Sequence, residues 1–221
     1  MLRGLFVTGT DTGIGKTIVS AALLQRYRAV VPLRYWKPIQ TGIEQDDDTA
    51  KVMRLVTCGE DEIFESGVRL PLPVSPHLAA ARSGTTIDLE SLMTAIENEP
   101  RTRRWIVEGA GGVLVPINQR ETMADLMTRL QLPVVVVART KLGTINHTLL
   151  TLEALRRRML RVAGVVMVGE ANADNREAIE RHGRIPVIGE MPCFSPLSPI
   201  QLKSWASTEL DRNGSLLELL Q

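Results

Sequence analysis

The stretch Val7-Thr8-Gly9-Thr10-Asp11-Thr12-Gly13-Ile14-Gly15-Lys16-Thr17 decides how this chain is read. An apolar run, Leu5-Phe6-Val7, leads into it, and Ile18-Val19-Ser20-Ala21-Ala22-Leu23-Leu24 follows as a helical segment. Strand, glycine-rich turn and helix in that order make a cradle for phosphate. The glycines let backbone N–H groups turn inward and the helix start adds the positive end of its dipole. The lysine reaches the β- and γ-phosphates, and the threonine hydroxyl suits Mg2+. The common form of the motif is G-x-x-x-x-G-K-[ST]. Gly9 and Gly15 enclose five residues, so only a lengthened form fits.

Working outward, short apolar runs alternate with helical patterns. Residues 2–8, 30–36, 105–108, 133–138, 162–168 and 186–189 read as strands, and 16–28, 49–57, 89–97, 122–130, 144–159 and 175–182 as helices. Three of the strands are dense in Val and Ile without period-two alternation, which suits strands covered on both faces. The expected fold is therefore α/β, P-loop NTPase-like, a mostly parallel sheet flanked by helices on both faces. Ligands should sit at the carboxyl ends of the strands. In the segment 144–159, Ile145, Leu149, Leu152 and Met159 form one stripe, with Thr144 as the expected N-cap. Residues 60–84, which carry Pro71, Pro73 and Pro76, read as an irregular excursion within a single domain spanning 1–221.

Composition removes several classes. The 221 residues are 44% hydrophobic and 23% charged, with a net charge of +1. No apolar run approaches the roughly 18 residues of a membrane span, and no basic field invites nucleic acid or a membrane surface. The sequence begins Met1-Leu2-Arg3 and shows no secretory signal pattern, so a reducing, cytoplasmic setting with Cys58 and Cys193 as free thiols is expected. His77, His147 and His182 form no ligand pair for zinc. Of 26 cationic residues only five are lysine: Lys16, Lys37, Lys51, Lys141 and Lys203. Arginine run 156–158 with Arg161 reads as a solvated helix end offsetting the dipole.

Three further segments carry chemistry. Trp105-Ile106-Val107-Glu108 ends an apolar strand on an acid, and Gly109-Ala110-Gly111-Gly112 then lets backbone approach a ligand. Glu108 is a candidate partner for Mg2+, as are the acids of Asp46-Asp47-Asp48, which could equally serve only as negative charge at a helix start. Spacing alone does not choose among those three. Lys37-Pro38-Ile39-Gln40-Thr41-Gly42 follows the second strand, where a rigidly held lysine could stabilise a transferring phosphoryl group or be a plain loop residue. Lys37→Ala is expected to abolish turnover while leaving the fold intact. Lys141-Leu142-Gly143-Thr144-Ile145-Asn146-His147 opens a helix whose free N–H groups could bind a carboxylate.

Together these four segments, in this order, resemble the dethiobiotin synthetases of biotin synthesis, and the lengthened phosphate loop is a habit of that family. The resemblance covers roughly residues 5–150. It implies a homodimer that uses ATP as co-substrate, Mg2+ and CO2 to close a ureido ring on 7,8-diaminopelargonic acid. It implies that Gly13, Ile14, Gly15, Lys16, Thr17 and Ile18 hold the nucleotide, with Gly109, Ala110 and Gly111 beside it and Pro192-Cys193-Phe194 at the base edge. It places Thr17, Asp48 and Glu108 around Mg2+ and makes Lys16 and Lys37 the catalytic lysines. Thr12, Lys37 and Thr41 would contact the diamine, and Leu142, Gly143, Thr144 and Asn146 would bind its carboxylate from the partner subunit. Two positions depart from the pattern. Many members have Asn followed by Asp after the fifth long strand, at the place where Val166-Met167-Val168-Gly169 stands, so the usual base-reading amide is missing, and some have Glu where Gly13 stands.

The rival is a switch resembling the partition and septum-positioning ATPases. Those carry a signature lysine five residues before the loop lysine, where this chain has Asp11, and the stretch 216–220 lacks the basic face of a membrane-targeting helix. A glutamine-dependent cobyrinate-type synthetase would need a second domain for which 221 residues leave no room.

Overall fold

Val134-Val135-Val136-Val137 is apolar at every position, and in a pleated strand such a run needs cover on both faces. A computed structural model, which describes residues 2–221, provides that cover. All four valines have no exposure, with Val134 and Val136 in one core layer and Val135 and Val137 in the other. Each contributes about 1.5–3 kcal/mol of burial as an upper bound.

The strands are β1 (Gly4–Gly9), β2 (Leu33–Trp36), β3 (Ile39–Thr41), β4 (Ile63–Phe64), β5 (Val68–Leu70), β6 (Arg104–Gly112), β7 (Val134–Arg139), β8 (Val162–Val168) and β9 (Val187–Met191). Seven of them form a sheet in the order β4-β2-β6-β1-β7-β8-β9, and every pairing in it is parallel. β3 and β5 pair separately, also in parallel. One face is covered by α1 (Lys16–Tyr27), α2 (Asp48–Val56), α8 (Pro199–Thr208) and α9 (Ser215–Leu220), which supply the layer containing Leu23, Val52, Leu202 and Leu216. The other is covered by α3 (Pro76–Arg82), α4 (Leu89–Glu97), α5 (Met123–Leu130), α6 (Thr144–Arg157) and α7 (Ala173–Gly183), through Ala79, Leu92, Leu126, Leu155 and Ile179. This is the expected α/β sandwich. Among the described residues, no helix is long and apolar enough to cross a membrane.

Strand order explains where a ligand fits. From β1 the chain passes through α1 to β2 on one side, and from β6 through α5 to β7 on the other. Crossovers that leave in opposite directions part at the carboxyl end of β1 and open a crevice there. The phosphate loop follows β1 directly.

Several sequence expectations change. Residues 60–84 are not wholly irregular: β4 extends the main sheet, β5 pairs with β3, and α3 starts at Pro76 with Ser75 as N-cap. β6 continues through Gly112 instead of ending at Glu108. Thr144 is not the N-cap of α6. Gly143 holds that place with φ +92, a left-handed conformation that glycine adopts without a Cβ clash, and Thr144 Oγ1 donates to the Arg139 carbonyl. Met159 leaves the proposed stripe because α6 ends at Arg157, and its side chain is 89% exposed. The rest of the stripe holds, with Leu152 buried and Ile145 and Leu149 partly buried against the same core, and Leu155 joins them.

The C-terminal helices are tied to α1 through Asp211, which is buried. Asp211 accepts from Tyr27 Oη at 2.5 Å, from Ser215 Oγ at 2.8 Å and from the Leu216 N–H at 2.9 Å. Burial first, then the Asp211 contact, pushes the Tyr27 phenol far above its ordinary range, so it stays a donor.

Candidate active site

The residues after β1 form the phosphate loop because glycine permits what other residues resist. Gly13 and Gly15 sit at φ +66 and +98, and Gly15 is the left-handed N-cap of α1. Arg139, at the end of β7, braces the outside of the loop by donating Nη2 to the Thr12 carbonyl at 2.8 Å and pairing with Asp11. Lys16 is 6% exposed and donates Nζ to the Asp11 carbonyl at 2.8 Å, across the loop. Burial, then the neighbouring Lys37 ammonium, lowers its pKa to about 8.

Behind the loop lies a cluster of four side chains, three from named elements and one from the link between β2 and β3. Thr17 is the second residue of α1, Lys37 follows β2, Asp48 opens α2 and Glu108 sits within β6. Thr17 Oγ1 lies 2.6 Å from Asp48 Oδ1 and 2.9 Å from Glu108 Oε1. Lys37 Nζ lies 2.7 Å from Asp48 Oδ2 and 2.6 Å from Glu108 Oε1, and also donates to the Gly109 carbonyl at 3.3 Å. Burial alone lowers the Lys37 pKa, but Glu108 and Asp48 outweigh it and hold the ammonium above its usual pKa. Burial also works against charge on Asp48, and the Lys37 ammonium reverses that and lowers its carboxyl pKa.

The three consecutive acids separate by role. Asp47 is the N-cap of α2, accepting from the Ala50 N–H at 3.1 Å. Asp46 pairs with Lys51 at the surface. Only Asp48 turns into the cluster. Gln40, fully enclosed on β3, holds this turn by donating Nε2 to the Asp46 carbonyl at 3.1 Å.

A cleft of about 620 Å3 gathers Thr12, Gly13, Ile14, Gly15, Lys16, Thr17, Ile18, Lys37, Thr41, Asp48, Glu108, Ala110 and Gly111. Val74, Ser75 and Pro76 also line it, so the 60–84 excursion contributes a wall that sequence reasoning did not assign. A second cleft of about 930 Å3 lies across the loop, sharing Gly13, Ile14, Gly15 and Ile18, and reaches Val168, Gly169, Met191, Pro192, Cys193 and Phe194. Gly169 leaves no room for a side chain, since a Cβ there would stand 2.3 Å from Thr140 Oγ1. Gly109 lines neither cleft and contributes its carbonyl to Lys37. Leu142 borders the second cleft, whereas Gly143, Thr144 and Asn146 line neither. Tyr35 went unnoticed in the sequence although it stands two residues before Lys37 on a strand, the spacing that shares a face.

The cluster suits a hard divalent cation. Thr17 Oγ1 has one proton for two carboxylate oxygens within 3 Å, and hydroxyl plus carboxylate oxygens are the donors that Mg2+ takes. The structure thus brings a glycine-rich loop at a helix start, a hydroxyl with two carboxylates and a buried ammonium side by side.

Comparison with known proteins identifies the family. An AAA domain family model matches residues 3–201. The ATP-dependent dethiobiotin synthetase BioD of Paramagnetospirillum magneticum is 54% identical over 190 residues, covering 86% of this chain and 88% of that protein. The chain belongs to the dethiobiotin synthetase family. The corresponding BioD of Bradyrhizobium diazoefficiens is 43% identical over 92% of this chain and 93% of its own length. Among solved structures, a ParA family ATPase from Chlorobium tepidum covers 100% of this chain and 98% of its own, with a TM-score of 0.59 and 11% identity. At that identity the likeness concerns the fold alone. The partition-type reading does not survive, because the family is that of the synthetases.

Proposed function

We propose that the chain, as one domain over residues 1–221 acting in the cytoplasm, converts 7,8-diaminopelargonic acid to dethiobiotin with ATP, Mg2+ and CO2. The observation that carries this reading is the meeting of a phosphate loop with Lys37, Asp48 and Glu108 in one cleft of a chain of this family. One substrate amine adds to CO2 and loses a proton, giving a carbamate. A carbamate oxygen attacks the γ-phosphorus and displaces ADP. The second amine then attacks the carbonyl carbon and gives up a proton as the ring closes and inorganic phosphate leaves.

Each step moves negative charge, and none calls for a covalent bond to the protein. Positioning and charge balance therefore carry the catalysis. Lys16 balances the β- and γ-phosphates, and Lys37, kept charged in its buried place, stabilises the oxygens around the transferring group. Thr17, Asp48 and Glu108 are the residues that would hold Mg2+, which would supply positive charge to offset that of the phosphates. Residues 13–18 would hold the triphosphate, with Gly109, Ala110 and Gly111 beside it, and the base would lie toward Pro192, Cys193 and Phe194. Thr12 and Thr41 would contact the diamine.

The substrate carboxylate would rest on the helix start at Leu142, Gly143, Thr144 and Asn146 of a second subunit. Two features support this homodimer. Gly143, Thr144 and Asn146 lie outside both clefts of their own chain. Leu142 is fully exposed, and Leu114 and Leu150, each 56% exposed, border a groove beside Asp11 and Thr12. Incubation with ATP, Mg2+, the diamine and 13C-bicarbonate tests the proposal by mass spectrometry. A ring product carrying one label is expected, and unchanged diamine with ATP consumed would contradict it.

A further inference from the structure

A buried carboxylate is stable only when both of its oxygens are satisfied. Glu108 has no exposure. Its Oε1 faces Lys37 and Thr17, at 2.6 and 2.9 Å. Its Oε2 accepts from Tyr35 Oη at 2.9 Å, and Tyr35 is itself without exposure.

The sheet dictates this meeting. β2 and β6 run parallel with Tyr35 opposite Ile106. Side chains alternate along a strand, so Glu108, two residues beyond Ile106, lies on the face of Ile106 and Tyr35. That is the face covered by α1, since Tyr35 and Ile106 share the core layer containing Val19 and Leu23. The Trp36 ring is on the other face, against Phe64 and Trp105. The tyrosine ring thus packs as core while its hydroxyl reaches the carboxylate.

We propose that Tyr35 is a positioning residue for the reaction: its hydroxyl pins Glu108 Oε2 and so turns Oε1 toward Thr17, Lys37 and the cation. This rests on reading Thr17, Asp48 and Glu108 as the Mg2+ site. A carboxylate held at one oxygen presents the other in a fixed direction, and losing such an outer partner commonly weakens metal binding by about 10- to 100-fold. A tyrosine serving only as core would be replaced by phenylalanine with no effect on the metal.

The test is a Mn2+ titration, followed by electron paramagnetic resonance, of protein saturated with a non-hydrolysable ATP analogue. Wild type, Tyr35→Phe, Glu108→Gln and the double variant are compared. The expected result is Mn2+ affinity lowered at least about tenfold in Tyr35→Phe, with no further loss when that change is added to Glu108→Gln. In turnover assays the apparent KM for Mg2+ should rise more than kcat falls. Wild-type Mn2+ affinity in Tyr35→Phe beside a weakened Glu108→Gln would overturn the role of Tyr35. Wild-type affinity in Glu108→Gln would instead overturn the metal site on which it rests. Should Tyr35→Phe not fold, the same titration on Tyr35→His, whose ring N–H has shorter reach, decides: lowered affinity supports the proposal and wild-type affinity contradicts it.

Discussion

Lys37 Nζ and Glu108 Oε1 lie 2.6 Å apart with their side chains 4% and 0% exposed. Opposite charges so placed are each other's main counterweight to lost hydration. The lysine serves both the chemistry and the stability of the site. Lys37→Ala should therefore lose turnover and also lower stability by about 3–5 kcal/mol, because it leaves a buried carboxylate unpaired. The sequence alone suggests no such cost. Urea unfolding checks it, and Lys37→Met combined with Glu108→Gln should be more stable than the summed single variants imply.

Gly13 and Gly15 separate two demands on the phosphate loop. Both have positive φ, but a Cβ on Gly13 would meet nothing within 4 Å, whereas one on Gly15 would stand 3.2 Å from Val168 Cγ1. Gly13→Ala carries only the left-handed backbone cost of about 1–2 kcal/mol. Gly15→Ala adds a contact that pushes the loop away from β8. Calorimetric titration with ATP should show the greater affinity loss in Gly15→Ala, and equal losses would contradict the loop geometry.

The Cys58 thiol is raised from 9.0 to about 11 by burial and then by Glu62. A folded pKa above the unfolded one means that the folded state keeps its proton longer. The associated stability is fully present below pH 9 and is lost as pH rises through about 11. Urea midpoints across that window should fall more steeply in wild type than in Cys58→Ser. Below it, iodoacetamide should alkylate the exposed Cys193 well before Cys58.

A site shared between subunits has a signature of its own. Lys37→Ala and Asn146→Ala would damage opposite halves of each site. Each variant alone should turn over poorly, and mixing them with subunit exchange should restore about a quarter of the sites through heterodimers. Mixed protein no more active than the separate variants would place residues 142–146 outside the site.

What could be read from the sequence followed chain-local signals. β1, the loop and α1 declared themselves because glycines, lysine and threonine sit at a strand-to-helix junction, and β7 because four consecutive valines admit only a buried strand. β3 and β5 escaped notice because each has three residues and pairs only with the other. α3 and α8 begin with Ser75-Pro76 and Ser198-Pro199, start signals that proline-rich surroundings masked. In the site, Thr17, Lys37 and Glu108 stood in motifs. The separate tasks of Asp46, Asp47 and Asp48 depend on where α2 starts, which spacing cannot locate to a single residue. Tyr35 looked like one more apolar strand residue, since its hydroxyl acquires meaning only when β2 is laid beside β6.

The most direct test of the account is release of inorganic phosphate with ATP, Mg2+, bicarbonate and the diamine all present, and with each omitted in turn. Phosphate release that requires all four is the predicted result. Hydrolysis of ATP at the same rate without the diamine would contradict it.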